Sequence, residues 1–124
     1  MTFSSEILVQ AVFAILALLL CVIPHEVAHG FVAYLLGDPT AKRAGRLSLN
    51  PLRHLDPIGS VALPLALLLL RRFTGVPLVV FGWAKPVPIY PPNFRHYRVG
   101  LFVVSIAGIV INLLIATGLA LLLR

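Results

Sequence analysis

Long apolar runs separated by short polar connections dominate the sequence. The first run covers residues 7–36 and the last covers residues 99–123. At 1.5 Å per residue, a helix over either run is longer than the roughly 30 Å hydrocarbon core of a bilayer. Both runs therefore predict membrane-spanning helices. Pro24 predicts a kink in the first helix, because proline removes a backbone donor and clashes with the preceding turn.

A shorter apolar run covers residues 58–70 and has Pro64 near its centre. As a helix it would be about 20 Å long, which is less than the thickness of the hydrocarbon core. Two interpretations follow. The run is either a short tilted span or one arm of a re-entrant hairpin that returns through residues 76–81.

Polar connections join the apolar runs. Gly37, Asp38 and Pro39 predict the end of the first helix. Residues 46–50 alternate polar and apolar side chains, a pattern typical of a short strand. Residues 82–98 are rich in proline and aromatic side chains, which favours an extended segment at the membrane interface.

The composition agrees with these elements. Of the 124 residues, 60% are hydrophobic and 11% are charged, and the mean hydropathy is +1.02, whereas soluble domains carry about 25% charged residues. We therefore predict an all-α integral membrane protein with three to four apolar helical segments, joined by short interfacial strands or extended loops. The length predicts one membrane-embedded domain over residues 1–124.

The distribution of charge predicts an orientation. The formal net charge is +6, and the basic residues lie between the apolar runs, which favours the lipid bilayer over nucleic acid as the partner. Residues 37–57 contain four cations, whereas residues 1–6 contain none. The positive-inside rule then places the first loop in the cytoplasm and the N-terminus outside. No basic residue precedes the first run, so we do not expect a removable signal peptide.

Residues 25–29 read HEVAH and lie inside the first apolar run. A spacing of four brings His25 and His29 to one face of a helix, where two imidazole nitrogens can hold one zinc ion. Glu26 lies beside them and can take a proton from water, which is the role of the general base in metal-assisted hydrolysis. The motif therefore predicts a Zn²⁺ site with His25 and His29 as ligands and Glu26 as a catalytic residue.

The position of the motif strengthens this interpretation. An ionisable side chain at the centre of a membrane helix costs roughly 2.5 kcal/mol or more, and such residues are found mainly at functional cavities. Counting residues back from Leu36 places His25 and His29 about 16 and 10 Å from the cytoplasmic end of the helix. We expect a metal site inside the membrane, which water reaches through a polar route along the two connections.

Three stretches carry a resemblance to a known family. FVAYLLGDPTAKRAGRLSLNPLRHLDPIGS directly follows HEVAHG, and FGWAKPVPIYPPNFR and SIAGIVINLLIA come later in the chain. In order and spacing they resemble the compact bacterial branch of the site-2 proteases, which are zinc-dependent intramembrane metalloproteases. The resemblance covers most of residues 20–116. It implies hydrolysis of peptide bonds in or near the transmembrane segments of a membrane-protein substrate, in a bacterial cell membrane.

The same resemblance implies that His25 and His29 bind zinc and that Glu26 is the catalytic base. The family completes its zinc site with an aspartate from a later segment resembling PxxPLDGG, and residues 1–124 contain no such segment. Asp56 is the preferred candidate for a third metal ligand within this chain. Its alternative role is a helix cap, because Asp before proline commonly opens a helix.

Four further residues are candidates for that third ligand, each with a plainer alternative. Asp38 is also predicted to end the first helix in a turn. Cys21 is the chain's single cysteine, so no internal disulfide can form. Its plainer alternative is a buried side chain that packs against its neighbours. His54 and His96 flank cations in the connections and are predicted to be solvated.

Asn112 is the remaining candidate for a catalytic role. The family pattern there resembles AGPxxN, and this chain has Ile109 in place of the proline. In one interpretation the Asn112 amide donates hydrogen bonds to the substrate carbonyl or oxyanion. In the other it forms an interhelical hydrogen bond worth about 0.6 kcal/mol.

The segment FGWAKPVPIYPP also has two interpretations. It is either an aromatic anchor at the membrane interface, with Lys85 reaching toward the headgroups, or an extended edge on which an unwound substrate pairs through its backbone. Pro86 and Pro88 are two residues apart and leave only one edge without donors, which agrees with the second interpretation.

Two other functions remain open at this point. The missing third-ligand segment agrees with a catalytically inactive membrane scaffold or a truncated protease relative. A metal transporter would also place histidines in the membrane, but it needs polar residues along its other helices, and residues 99–123 offer only Ser105, Asn112 and Thr117. Whether the chain forms a homo-oligomer is not readable from the sequence.

Overall fold

The computed structural model describes residues 3–124, with side chains from Ser5 onward. The first two residues of the N-terminus, which we predict to be outside, are not among them. Four α-helices are present in the described chain: α1 (Phe3–Leu35), α2 (Thr40–Arg43), α3 (Leu63–Thr74) and α4 (Tyr97–Leu122). Two 3-10 turns and one π-helical turn supplement them, at Pro51–Arg53, Pro91–Asn93 and Pro57–Ala62.

Three helical stretches are long and apolar enough to cross a membrane. They are Ser5–Leu35, Pro57–Thr74 and Tyr97–Leu122. Large apolar side chains remain exposed along α1 and α4, among them Phe13 and Phe102, which are 67% and 66% exposed. Such surfaces suit lipid rather than water. The predicted all-α membrane architecture is therefore confirmed.

The middle apolar run forms a longer helix than its thirteen residues predict. The π-helical turn at Pro57–Ala62 leads directly into α3, so the helical stretch has 18 residues. Pro64 is the second residue of α3 and lies inside this helical stretch, to which it contributes no backbone donor. The helix ends at Gly75, whose φ of 70° is left-handed, and residues 76–81 are not helical.

The end of α1 follows the sequence closely. The helix continues through Pro24 and stops at Leu35. Gly37 then adopts a φ of 109°, which strongly favours glycine. The N–H of Asp38 donates back to the carbonyl of Ala33 at 2.9 Å, so the chain reverses within three residues.

The strand predicted at residues 46–50 was wrong, since no strand is present in residues 3–124. A strand needs a partner for its backbone groups. In this loop the side chains bond the backbone instead: Ser48 Oγ accepts from the N–H of Asn50, and Asn50 Oδ1 accepts from the N–H of Leu52, both at 3.1 Å. Such local bonds compete with strand pairing. Residues 76–90 are extended and have no strand partner. Of the two predicted kinds of connection, short strands or extended loops, the loops are therefore correct.

The described chain separates into two compact units. One comprises residues up to Val22 together with His54–Lys85, and the other comprises Ile23–Arg53 together with Pro86–Arg124. We describe each unit by itself below.

The first unit is held together by hydrogen bonds between the π-helical turn and the extended loop. Ser60 is fully buried, and its hydroxyl donates to the carbonyl of Trp83 at 2.7 Å. The N–H of Trp83 donates to the carbonyl of Gly59 at 3.0 Å. A Cβ on Gly59 would meet the indole ring of Trp83, so the absence of a side chain at Gly59 permits this close packing.

The second unit has a small apolar core between α1, α4 and the segment that precedes α4. Ala33, Phe94 and Val104 are buried there, and three partly buried residues pack against them, namely Val32, Leu36 and Ile89. The N–H of Arg95 donates to the carbonyl of Leu36 at 3.0 Å, which links the end of α1 to the start of α4. This core positions the half of α1 that carries the HEVAH motif against α4.

Asp38 is the polar centre of the second unit. It is fully buried, and its carboxylate accepts hydrogen bonds from Thr40 N and Thr40 Oγ1, from Tyr90 N at 2.7 Å and from Asn93 Nδ2 at 3.0 Å. Burial raises the pKa of the Asp38 carboxyl, but the hydrogen bonds from Asn93, Thr40 and Tyr90 outweigh that effect and hold the pKa below its usual value. Asp38 therefore joins the turn after α1 to the extended segment before α4.

Replacing Asp38 by Asn should destabilise the second unit by about 1–3 kcal/mol at pH 7, because an amide NH₂ would face groups that are themselves donors. A depressed carboxyl pKa contributes stability that is present above the unfolded-state pKa of about 3.9 and is lost as the pH falls through the folded-state pKa. The difference between Asp38→Asn and wild type should therefore be constant from pH 5 to 8 and shrink below about pH 4. Thermal unfolding in detergent measures it.

The matched control is Glu6→Gln, which makes the same chemical change at an exposed carboxylate of α1. It should leave the melting temperature within experimental error of wild type. Equal melting temperatures for Asp38→Asn and Glu6→Gln at pH 7 would contradict the structural role of Asp38.

Candidate metal centre

The two histidines of HEVAH pair on one face of α1, as the spacing of four predicts. Their Nε2 atoms lie 2.9 Å apart, and the rings meet edge to face with centroids 4.6 Å apart. Both side chains are half-buried. The two nitrogens therefore converge on one point beside the helix, which is the arrangement that two ligands of a single metal ion require.

A backbone carbonyl of α4 orients His29. Its Nδ1 lies 2.6 Å from the carbonyl oxygen of Val104, and since a carbonyl can only accept, Nδ1 carries the proton. The neutral ring then has its lone pair on Nε2, the nitrogen that faces His25. Metal-binding histidines almost always donate their other nitrogen to such an acceptor, which fixes both tautomer and ring orientation.

Asn112 of α4 lies beside the other histidine. Asn112 Nδ2 is 3.4 Å from His25 Nδ1, whereas Asn112 Oδ1 is buried and has no hydrogen-bond partner among the described residues. The oxygen and nitrogen of an amide exchange places by a 180° rotation. Asn112 can therefore accept from a protonated Nδ1 or donate to an unprotonated one. This contact connects the two residues across α1 and α4, as the interhelical interpretation of Asn112 expected.

Gly108 makes room for His25. A Cβ added at Gly108 would meet the imidazole ring of His25 at its Cε1, Nε2 and Cδ2 atoms. Glycine in a helix interior costs about 1 kcal/mol relative to alanine, so it is expected there only where packing requires it. In α4 the requirement is the close approach of the His25 ring.

Glu26 lies next to the histidines and contacts the extended segment before α4. Its Oε2 accepts a hydrogen bond from the N–H of Val87 at 3.0 Å, and Val87 itself is buried. Pro86 and Pro88 have no N–H, and the N–H of Tyr90 is bonded to Asp38. Glu26 and Asp38 thus accept from the N–H groups of Val87 and Tyr90. These two N–H groups are therefore not available for pairing with a substrate strand.

Asp56 lies in the first unit and caps the π-helical turn. Its Oδ1 accepts from the N–H groups of Gly59 and Ile58, at 3.0 and 2.9 Å. The hydrogen bond from Gly59 N–H lowers the pKa of the Asp56 carboxyl, and the bond from Ile58 acts in the same direction. The capping role is therefore confirmed, and its role as a third metal ligand stays a prediction.

The other candidates have other surroundings. Asp38 has its carboxylate engaged as described above, Cys21 is exposed, and His96 is exposed at the N-terminus of α4, as predicted for a solvated histidine. The prediction of a solvated His54 was wrong, because His54 is fully buried. Its carbonyl accepts from the N–H of Lys85 at 2.8 Å, so the extended loop covers it.

The donor set fits a zinc ion in part. The imidazoles of His25 and His29 have convergent nitrogens, and the Val104 carbonyl fixes the tautomer of His29, so both are suitable ligands. Catalytic zinc sites, however, have three protein ligands. Within the part of the chain that the structure describes, no group of three or more His, Cys, Asp or Glu side chains is positioned to hold one metal ion. The arrangement therefore supplies two ligands and an adjacent carboxylate.

Sequence patterns found the three side chains of the motif but not the groups that position them. The carbonyl of Val104 and the N–H of Val87 are backbone atoms, which carry no residue-type signal. Gly108 does carry one, since an isolated glycine within a long apolar helix commonly has a packing reason.

One comparison with known proteins found a similar protein. The chain is similar to a protein of Bacillus subtilis (strain 168) named "Putative zinc metalloprotease YwhC", with 40% identity over 104 residues. The match covers 84% of this chain and 42% of that relative, so the chain spans less than half of the relative's length. No family model and no solved structure matches the chain. The similarity supports a relation to metalloprotease-like proteins.

Replacing Gly108 by Ala should displace the His25 ring and weaken zinc binding by tenfold or more, a loss on the scale of second-shell changes at metal sites. Overpacking of this kind also costs about 1–3 kcal/mol of stability. Zinc titration and thermal unfolding of the purified chain measure the two effects.

Gly118→Ala is the matched control in the same helix, since a Cβ at Gly118 would meet nothing within 4 Å. It should bind zinc as wild type does and be more stable by up to about 1 kcal/mol from helix propensity alone. If Gly108→Ala behaved like Gly118→Ala, the close approach of Gly108 and His25 would be refuted.

Proposed function

We propose that this chain acts in zinc-dependent hydrolysis of peptide bonds in or near the transmembrane segments of membrane proteins, as site-2 proteases do. The observation that carries the proposal is the convergence of His25 Nε2 and His29 Nε2, 2.9 Å apart, on a helix apolar enough to cross a membrane. The similarity to the Bacillus subtilis protein named "Putative zinc metalloprotease YwhC" supports the same chemistry.

In this proposal His25 and His29 hold the zinc ion, and Asp56 remains the candidate within the chain for a third ligand. A zinc ion at this place would polarise the scissile carbonyl and acidify a water molecule. Glu26 would accept a proton from water at this place and deliver it to the leaving amine. The N–H of Val87 holds one oxygen of Glu26 in place, so the carboxylate has a fixed orientation.

Asn112 acts in this proposal as a positioning residue for His25. With zinc absent, His29 Nε2 has a lone pair, so His25 Nε2 donates to it and His25 Nδ1 accepts from the Asn112 amide. A metal ligand needs the lone pair on Nε2, which moves the proton to Nδ1 and requires an acceptor there. Rotation of the Asn112 amide supplies its oxygen, which is otherwise buried without a partner in the described chain. An amide serves both tautomers of His25, which a purely apolar side chain could not.

The placement of the protein in a bacterial cell membrane, with the first loop cytoplasmic, belongs to this proposal as well. Its support is the charge distribution, since the cations of residues 37–57 follow α1 whereas no cation precedes it. A substrate would enter as an intact membrane segment and become extended near the histidines. The segment before α4 has extended backbone beside Glu26. Because the N–H groups of Val87 and Tyr90 are already bonded, a substrate strand would pair with its carbonyl groups.

Replacing Glu26 by Gln should lower cleavage of a membrane-protein reporter by about 10²–10⁴-fold, because the general base is removed. The amide oxygen still accepts from Val87 N–H, so zinc content and melting temperature should equal those of wild type. The purified chain, a reporter and zinc in detergent give all three measurements.

The results separate the proposed enzyme from its rivals. Undiminished cleavage by Glu26→Gln would refute the mechanism. Stoichiometric zinc without cleavage by the wild-type chain would favour an inactive scaffold, and zinc flux into vesicles in place of cleavage would favour a transporter.

Replacing Asn112 by Leu should raise the Kd for zinc by about 10–100-fold, the usual effect of removing a second-shell partner of a ligand histidine. Thr117→Val is the matched control on α4, because the Thr117 hydroxyl bonds only within its own helix, to the carbonyl of Leu113 at 2.8 Å. An unchanged zinc Kd with a lowered kcat would instead assign Asn112 to oxyanion stabilisation.

A further inference from the structure

A cavity of the second unit lies at the end of α1. It has a volume of about 510 Å³ and is formed by the last turns of α1 and the loop that follows α2. Its lining includes Phe31, Tyr34, Lys42, Gly45, Ser48 and Arg53. We refer to it as the loop cavity.

Two cations with neutral partners border the loop cavity. Lys42 Nζ donates to the hydroxyl of Tyr34 at 2.8 Å and lies 4.4 Å from the centroid of the Tyr34 ring. Arg53 Nη1 donates to the carbonyl of Gly45 at 2.7 Å. Lysine has three N–H donors and arginine five, so these contacts orient both side chains without neutralising them. No carboxylate is among the residues that line this cavity.

Apolar side chains, Phe31 and Leu47, form part of the remaining wall of the loop cavity. Phe31 is 51% exposed, and Tyr34 lies one residue before the end of α1. The loop beside the cavity carries Leu49 and Leu52, which are 67% and 77% exposed. Exposed aromatic and leucine side chains beside cations, at the end of a membrane-crossing helix, are typical of the headgroup region of a bilayer.

From this combination we propose that the loop cavity binds the headgroup phosphate of an anionic phospholipid. Lys42 and Arg53 bind the phosphate oxygens, and Phe31 and Leu47 contact the glycerol and upper acyl chain. The apolar wall selects a phosphate attached to a lipid over free phosphate, since only the lipid buries apolar surface there. The two cations select an anionic lipid over phosphatidylcholine, whose choline group would be repelled. This site does not depend on the metal centre.

The test uses the purified full chain in detergent and native mass spectrometry of its lipid adducts. The probes are phosphatidylglycerol, phosphatidylcholine and inorganic phosphate at equal concentrations. The wild-type chain should retain one phosphatidylglycerol in preference to phosphatidylcholine. The double variant Lys42→Gln, Arg53→Gln should bind phosphatidylglycerol about thirty-fold more weakly, the product of the usual contributions of two interfacial cations.

The matched control is Arg71→Gln, Arg124→Gln, which removes the same charge from residues that do not line the loop cavity. It should bind phosphatidylglycerol as wild type does. The charge-keeping variant Lys42→Arg, Arg53→Lys should also retain most of the affinity, and comparison of melting temperatures shows that the variants are folded.

Three results would overturn the proposal. Equal losses in the Lys42, Arg53 variant and in the control would mean that the net charge attracts the lipid without a site. No loss in the Lys42, Arg53 variant would exclude these ligands. Displacement of phosphatidylglycerol by an equal concentration of inorganic phosphate would show that the cavity binds free phosphate instead.

Discussion

The hydrogen bond between His29 Nδ1 and the carbonyl of Val104 is the contact on which the candidate metal centre depends. A histidine on an apolar helix has two polar nitrogens, and in a lipid environment neither can rely on water. Bonding Nδ1 to α4 satisfies one nitrogen and leaves the lone pair of the other facing His25. The same bond sets the spacing between α1 and α4 at this level. Gly108, four residues after Val104, then gives the His25 ring the space it needs.

Two carboxylates place the extended segment before α4 on this pair of helices. Glu26 accepts from Val87 N–H and Asp38 accepts from Tyr90 N–H, and the prolines between and beside them have no N–H to satisfy. The fully buried Asp38 has a structural role, whereas Glu26 is half-buried and lies next to the histidines. The segment is therefore secured near the motif by groups of the protein itself, and it remains extended without a strand partner.

The metal centre and the loop cavity use different physical chemistry within one unit. The histidines are half-buried in an apolar helix and have neutral partners. This suits a metal cation that takes the place of the proton between the two Nε2 atoms. Lys42 and Arg53 are exposed and bond neutral partners, which suits an anion at the membrane surface. The relative from Bacillus subtilis is more than twice as long as the match. In the described part of this chain the histidines have no third acidic, thiol or imidazole partner, and the proposed zinc chemistry requires one.

Much of this protein follows from the sequence by itself. The first and last apolar runs determined two helices that can cross a membrane, because backbone groups in lipid must bond within their own segment. The spacing of His25 and His29 determined that they share a face of α1, and Asp before Pro57 determined a cap. These are local properties, governed by helix periodicity and hydrogen bonds between near neighbours in the chain.

Only the tertiary structure decided the rest. It showed that Asn112 contacts His25, that Val104 orients His29 and that Val87 holds Glu26, since these pairs are 61 to 87 residues apart. It also showed that residues 46–50 form no strand and that His54 is buried. Strand formation requires a partner elsewhere in the chain, and burial of a side chain depends on which segment covers it. Neither can be read from the spacing of residues along one segment.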